Sequence, residues 1–226
     1  MTGGQDKALV VLSGGQDSTT CLYWAIDRFG RANVSSITFD YGQKHRIELG
    51  CARNVAAAAG VTNVCLPIDT FAALGGDALT DTSIPVSDEA DEETELPVTF
   101  VPGRNLIFMT FAAAFAYRHD AQHLVTGVAQ TDYSGYPDCR EETMAALQRA
   151  ITLGMDREFT IHTPLMHRSK KETVELAVRL GALDAMALTH TCYNGRRPPC
   201  GECQACRLRA TGFAEAGVSD PLLDIQ

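Results

Sequence analysis

Ala8-Leu9-Val10-Val11-Leu12 runs straight into Ser13-Gly14-Gly15-Gln16-Asp17-Ser18-Thr19, and this junction decides the fold. Five apolar residues in a row read as a strand covered on both faces, the mark of a parallel sheet. The glycines break the strand, and residues 18–29 read as a helix. In open parallel sheets, ligands bind where the chain leaves the carboxyl end of a strand. Here two glycines let the backbone come close to an anion, which loop N–H groups and the helix N-terminus then bind. Ser13, Ser18 and Thr19 add hydroxyl groups. The loop lacks the Gly-Lys-Ser/Thr ending of a Walker A motif and the spacing of the dinucleotide fingerprint. Asp17 would repel a phosphate unless a cation stood between them, so it is expected to hold Mg²⁺ directly or through water. A plain strand-to-helix turn with Ser/Asp capping is the simpler alternative.

Outward from this junction, strand and helix patterns alternate. Further strands are expected at 34–39, 63–67, 123–128 and 159–162, and helices at 46–59, 106–119, 138–155 and 170–180. Short strands separated by helices predict an α/β fold, a parallel sheet with helices on both faces. From Leu106 to Tyr117 only Thr110 is polar. That run is too short for a membrane span of about twenty residues. It is expected to be buried on nearly every side, in the core or at a subunit contact.

The chain of 226 residues suffices for one sizeable core, and a single domain over 1–226 is expected. With 45% hydrophobic and 21% charged residues, wholesale disorder and disulfide scaffolds are excluded. A net charge of −9 argues against life on duplex DNA or an anionic membrane. Residues 88–95 hold six carboxylates and no base, leaving −3 on the rest and room for a local basic pocket. The stretch 75–99 reads as a solvated loop, with a lid over a site as the alternative. The apolar run 8–12 is shorter than a signal-peptide core, so a cytoplasmic location is expected.

The eight cysteines fall into two groups. Cys21, Cys51 and Cys65 read as core fillers, as does Cys139, whose polar surroundings also suit a reactive thiol. Cys192, Cys200, Cys203 and Cys206 lie within fifteen residues, among glycines and prolines that shape turns. Four thiolates so spaced suit one tetrahedral structural Zn²⁺ with no open position, within a C-terminal segment spanning 189–226. An iron–sulfur cluster is the rival, and His190 a substitute ligand.

Three more loops fall on the rim of the expected sheet. Arg104, in Val101-Pro102-Gly103-Arg104-Asn105, suits bidentate contact with a phosphate or carboxylate, and Asn105 suits a helix cap. The segment 126–140 combines aromatics, carboxylates and Arg140. Such a set suits a flat polar heterocycle: Tyr133 or Tyr136 stacks, Asp132 or Asp138 meets a guanine-like N–H edge, and Arg140 meets an anion. Asp138 as a helix N-cap is the plainer alternative. Ser169 and Glu172 form a capping-box pattern, beside which Lys170 or Lys171 can pair with a triphosphate. Asp40 to Arg46 is a further polar loop.

The Ser-Gly-Gly-x-Asp-Ser string resembles the pyrophosphate loop of the ATP pyrophosphatases. That resemblance implies a fold like the adenine nucleotide alpha hydrolases, which is Rossmann-like, and cleavage between the α- and β-phosphates of ATP. Together with Asp40-Tyr41-Gly42-Gln43, Thr126-Gly127-Val128, the segment 132–140 and the cysteine spacing, the chain resembles the 7-cyano-7-deazaguanine synthase family of queuosine precursor biosynthesis. The resemblance covers Leu12 to Cys206.

What it implies is a carbon–nitrogen ligase. Its substrates are 7-carboxy-7-deazaguanine, ammonia and two ATP, and it proceeds through an adenylated carboxylate and an adenylated amide to the nitrile. AMP and pyrophosphate leave each time. It also implies a homodimer with one zinc per chain. On this chain the ATP-binding residues become Leu12, Ser13, Gly14, Gly15, Gln16, Asp17, Ser18, Thr19, Thr20, Cys21 and Leu22. The catalytic residues become Asp17, Arg104 and Lys170. The base-binding residues become Asp132, Tyr133, Tyr136, Asp138 and Arg140. No general base is singled out; His45, Asp40 and Asp132 are the candidates. The rivals are a tRNA-thiolating ATP pyrophosphatase, against which the acidic balance stands, and a non-enzymatic zinc-knuckle binding module.

Overall fold

The computed structural model describes residues 6–71, 79, 96, 99–130 and 136–224. Five strands form one sheet: β1 (Ala8–Val11), β2 (Val34–Asp40), β3 (Thr62–Pro67), β4 (His123–Val125) and β5 (Thr160–His162). Their order is β3-β2-β1-β4-β5, and every pairing is parallel. The helices are α1 (Gln16–Phe29), α2 (Ile47–Ala58), α3 (Arg104–Arg118), α4 (Glu141–Met155), α5 (Lys170–Arg179), the short α6 (Leu183–Met186) and α7 (Gln204–Ala216).

The central strand explains the layering. Successive side chains of a strand point to opposite faces. Leu9 and Leu124 enter the apolar cluster built with Met109, Ala112 and Ala116 of α3 and Met144 and Ile151 of α4. Ala8, Val10 and Val125 enter the other, with Leu22 and Ala25 of α1, Val55 of α2 and Leu176 of α5. Helices thus cover both faces of a parallel, Rossmann-like sheet, as the alternation predicts. β1 continues one way to β2 and the other way to β4, so the crevice between the β1 and β4 exits is the topological switch point.

Several expected boundaries move. The strand expected to reach residue 128 ends at Val125. The helix expected from 138 begins at Glu141, after a 3₁₀ turn at Pro137–Cys139. Asp138 does not cap that helix; its carboxylate accepts the backbone N–H of Asn105 at 2.9 Å, inside the first turn of α3. Asn105 is correspondingly not the cap of α3, whose N-cap is Gly103 with φ +71°. The apolar helix is not buried all round: Phe111 and Tyr117 are each 47% exposed. Cys21 and Cys51 are buried, whereas Cys65, on the edge strand β3, is exposed. The helix α7 escaped the sequence reading because the cysteine motif runs into it and Gly212 interrupts its pattern. The acidic run 88–95 lies outside the described residues.

Candidate active site and metal centre

The glycine loop is held by its own hydroxyls and by α2. Ser18 Oγ accepts from the Ser13 N–H at 3.2 Å and donates to the Gly15 carbonyl at 3.1 Å. Ser13 Oγ lies 3.0 Å from Ser18 Oγ. Gly14 has φ +89°, and a Cβ there would stand 2.5 Å from the Glu48 carbonyl oxygen and 2.7 Å from the Ala52 nitrogen. Only glycine combines that backbone with that approach. Two buried side-chain atoms of the α1 entry, Gln16 Nε2 and Thr19 Oγ1, have no hydrogen-bond partner among the described residues. Buried polar atoms normally find partners. An orphan donor on Gln16, which borders the cavity described next, suits a phosphate oxygen.

A cavity of about 310 Å³ opens at the switch point. Gly127, just beyond β4, seats it against α1: a Cβ there would lie 3.1 Å from the carbonyl carbon of Asp17 and the nitrogen of Ser18. Lys170, the first residue of α5, sends Nζ to within 2.8 Å of Asp17 Oδ2. The capping box expected at Ser169 and Glu172 forms and starts α5 there. Arg104 lies over the Tyr41 ring, its guanidinium carbon 5.8 Å from the centroid. Tyr136 OH shares a 2.6 Å hydrogen bond with Thr99 Oγ1. Glu48 of α2 also borders the cavity. Burial raises its carboxyl to about 7, against the opposing pull of the Arg104 charge.

The expected site residues therefore divide. Leu12, Ser13, Gly15, Gln16, Asp17 and Ser18 line the cavity, as do Arg104, Lys170 and Tyr136. Gly14 backs the loop against α2. Thr20, Cys21 and Leu22 are fully buried. They turn from the cavity because helical periodicity carries α1 away from its first turn: Thr20 Oγ1 donates to the Gln16 carbonyl and Cys21 Sγ to that of Thr126, and Leu22 joins the core. Asp138 is buried beneath the rim as a cap, and Arg140 is exposed ahead of α4. Neither lines the cavity. Asp132 and Tyr133 lie outside the described residues. Of the base candidates, His45 borders the cavity, while Asp40 does not and is ion-paired with Arg46. Glu48 went unnoticed in sequence; its spacing one helical turn after His45 was the available signal.

The four clustered cysteines converge. Cys192, Cys200, Cys203 and Cys206 hold their Sγ atoms within 4.8 Å of one another. Cys200 and Cys206 Sγ are 3.8 Å apart, close to the roughly 3.8 Å edge of a tetrahedron with 2.3 Å Zn–S bonds. The backbone N–H groups of Cys203 and Glu202 point at Cys200 Sγ and lower its thiol to about 6, favouring the thiolate a metal needs. The donor set fits a metal ion. His190 stands apart from it: Nε2 meets the Cys192 carbonyl at 2.9 Å, and its backbone N–H donates to the Gly14 carbonyl at 2.9 Å. The segment leading into the cysteines thus braces the glycine loop. At the other end of α7, a Cβ on Gly212 would lie 2.9 Å from Lys170 Cβ and 3.0 Å from its carbonyl oxygen.

The family model described as queuosine biosynthesis protein QueC matches residues 7–217. The 7-cyano-7-deazaguanine synthase of Chromobacterium violaceum is 67% identical over 219 residues, covering 97% of this chain and 94% of that protein. Its counterpart in Laribacter hongkongensis is 63% identical, with 97% and 95% covered. That of Azorhizobium caulinodans is 51% identical, with 94% of each covered. With a family match from one end of the fold to the other and this identity, the chain belongs to the queuosine biosynthesis protein QueC family.

Proposed function

We propose that the chain is a 7-cyano-7-deazaguanine synthase, a carbon–nitrogen ligase that converts 7-carboxy-7-deazaguanine and ammonia to the nitrile at the expense of two ATP. The observation that carries the reading is the Lys170–Asp17 pair, which stands at the glycine loop in a cavity also bordered by Arg104. The relatives' shared name gives the product, and the carboxylate substrate is what the family resemblance implies.

The loop of Ser13, Gly15, Gln16 and Ser18 receives the β- and γ-phosphates, which leave as pyrophosphate. Fixed N–H groups there stabilise charge that grows in the transition state. Asp17 offers a carboxylate to Mg²⁺, and Lys170 neutralises phosphate charge beside it. Arg104 steadies the α-phosphate or the substrate carboxylate. Tyr136 presents a ring to the base. Asp132 and Tyr133 are assigned to the base beside it, whereas Asp138 and Arg140 do not border this cavity. Each activation brings an oxygen in line with an α-phosphate, so one cavity serves the carboxylate and then the amide.

Zn²⁺ held by the four cysteines would be structural, fastening α7 and the Cys192 turn. The exposed Phe111 and Tyr117 face of α3 would be covered in a homodimer. No helix among the described residues is long and apolar enough to cross a membrane.

The test is one incubation with 7-carboxy-7-deazaguanine, Mg-ATP and ammonium, read by mass of the base and by adenine nucleotides. Loss of base mass in two steps, with AMP and no ADP, supports the reading. ATP turnover without change in the base removes the substrate but keeps the loop chemistry. No AMP removes both.

A further inference from the structure

On the function proposed above, the nitrogen donor is ammonium, which must lose a proton before it can attack. We propose that Glu48 is the catalytic residue that takes this proton in the cavity.

Among the described residues, the only carboxylates bordering the cavity are Asp17 and Glu48. Asp17 is engaged by Lys170 at 2.8 Å. Asp40 is turned to Arg46 and is not part of the wall. His45 does border the cavity, but its ring is pressed against the backbone of Gly195, where a Cβ would stand 2.1 Å from Nδ1. That packing turns one edge of the ring, including Nδ1, towards Gly195. The backbone of Glu48 packs against Gly14 of the glycine loop, where a Cβ would stand 2.5 Å from its carbonyl oxygen. Glu48 thus borders the same cavity as that loop, where the acyl adenylate would form. A carboxylate also attracts ammonium by its charge, which a neutral imidazole base does not.

A proton acceptor works best with a pKa near the working pH. Burial lifts Glu48 to about 7, while Arg104 opposes the lift and keeps the anion accessible. The other titratable groups around it are Lys44 and His45 before it and Cys51 after it, with Asp17, Tyr41, Tyr136, Cys139, Lys170, His190, Tyr193 and Arg209 further along the wall. The chemistry balances. Glu48 takes one proton from ammonium, and ammonia forms the C–N bond as the acyl C–O bond to AMP breaks, its electron pair leaving on the phosphate. The nitrogen sheds a second proton to water, and Glu48 returns its own to water before the next round.

The experiment uses the full-length enzyme, comparing wild type, Glu48→Gln and Glu48→Asp. It reads kcat/KM for ammonium from pH 6 to 9, KM for ATP and for the base, and turnover with hydroxylamine, an amine largely unprotonated at neutral pH. The expected result for Glu48→Gln is a loss of about 100-fold or more in kcat/KM for ammonium at pH 7. Its inflection near pH 7 disappears, both KM values stay near wild type, and hydroxylamine turnover survives. Glu48→Asp recovers part of the loss. Equal loss with ammonium and hydroxylamine, or a selective rise in KM for the base, overturns the proposal and makes Glu48 a structural or base-reading residue. A wild-type inflection retained in Glu48→Gln overturns it too. If wild type makes no AMP with this base, the functional reading itself fails, and the assignment of Glu48 falls with it.

Discussion

Lys170 Nζ and Asp17 Oδ2 meet at 2.8 Å across 153 positions of sequence, joining the start of α5 to the start of α1. Removing either group should strike the phosphate chemistry. Asp17→Ala and Lys170→Met are each expected to lower AMP formation by about 100-fold or more, the scale for losing a preorganised charged contact. Both side chains are part-exposed, so stability should fall by only about 1 kcal/mol. AMP release and urea unfolding on the same samples check this; an active Asp17→Ala would remove the Mg²⁺ role.

Gly212 does not border the cavity, yet its substitution should reach it. A Cβ there crowds Lys170 backbone and side chain at 2.9 to 3.1 Å. Gly212→Val is expected to cost about 1–3 kcal/mol by overpacking. It should also raise KM for ATP by shifting Lys170, whereas Gly154→Val, on an open helix position, should leave KM unchanged. Equal KM in the two variants would show that Lys170 adjusts freely.

Metal removal should loosen the end of the chain before the sheet. Structural zinc binding is itself folding free energy, of about 10–16 kcal/mol in small zinc peptides. Cys203→Ser or a strong chelator is expected to release one metal equivalent and to raise hydrogen exchange across α7. Metal analysis and exchange mass spectrometry check this; unchanged exchange without metal would make the ion dispensable.

Arg209 and Asp220 form a bidentate pair at 2.6 and 2.7 Å, with side chains 4% and 6% exposed. Arg209 also donates to Thr189 and Thr191. Asp220→Ala leaves the buried guanidinium without its counter-charge and is expected to cost about 3–5 kcal/mol. Chemical unfolding measures it.

His162 gives the stability curve its acid edge. Burial first, then His123 and Arg28, lower its pKa from 6.5 to about 4. Between these values the unfolded chain binds more protons than the folded one. Stability from this group is therefore whole above about pH 6.5 and is lost as pH falls towards 4. His162→Gln should flatten that stretch of the curve, as read by unfolding midpoints at pH 4.5, 5.5 and 7.

What the sequence made legible followed from local rules. The strand–glycine–helix junction at Leu12–Ser18 is chemistry and architecture at once, so fold and loop were read together. The cysteine spacing likewise announced its own convergence. Glu48 was harder, because its setting depends on burial and on the charge of Arg104, 56 positions away and near it only in the folded chain. Asp138 misled for the same reason. Its place in a polar loop before a helix suited a base contact or that helix's cap, yet tertiary packing turned it to the Asn105 N–H of another helix. Arg140 was placed by its company in sequence, but a 3₁₀ turn rotated it to solvent.

The His190 contact with Gly14 has a consequence for the order of synthesis. On the ribosome β1, β2 and β3 emerge early and can pair among themselves. The phosphate loop at their edge still lacks its brace, since the N–H that meets the Gly14 carbonyl belongs to residue 190. Lys170 arrives almost as late. A nascent chain that has made its first three strands therefore still lacks the two contacts that hold the glycine loop and its Asp17. Termination between β5 and His190 would leave all five strands but a glycine loop without this brace.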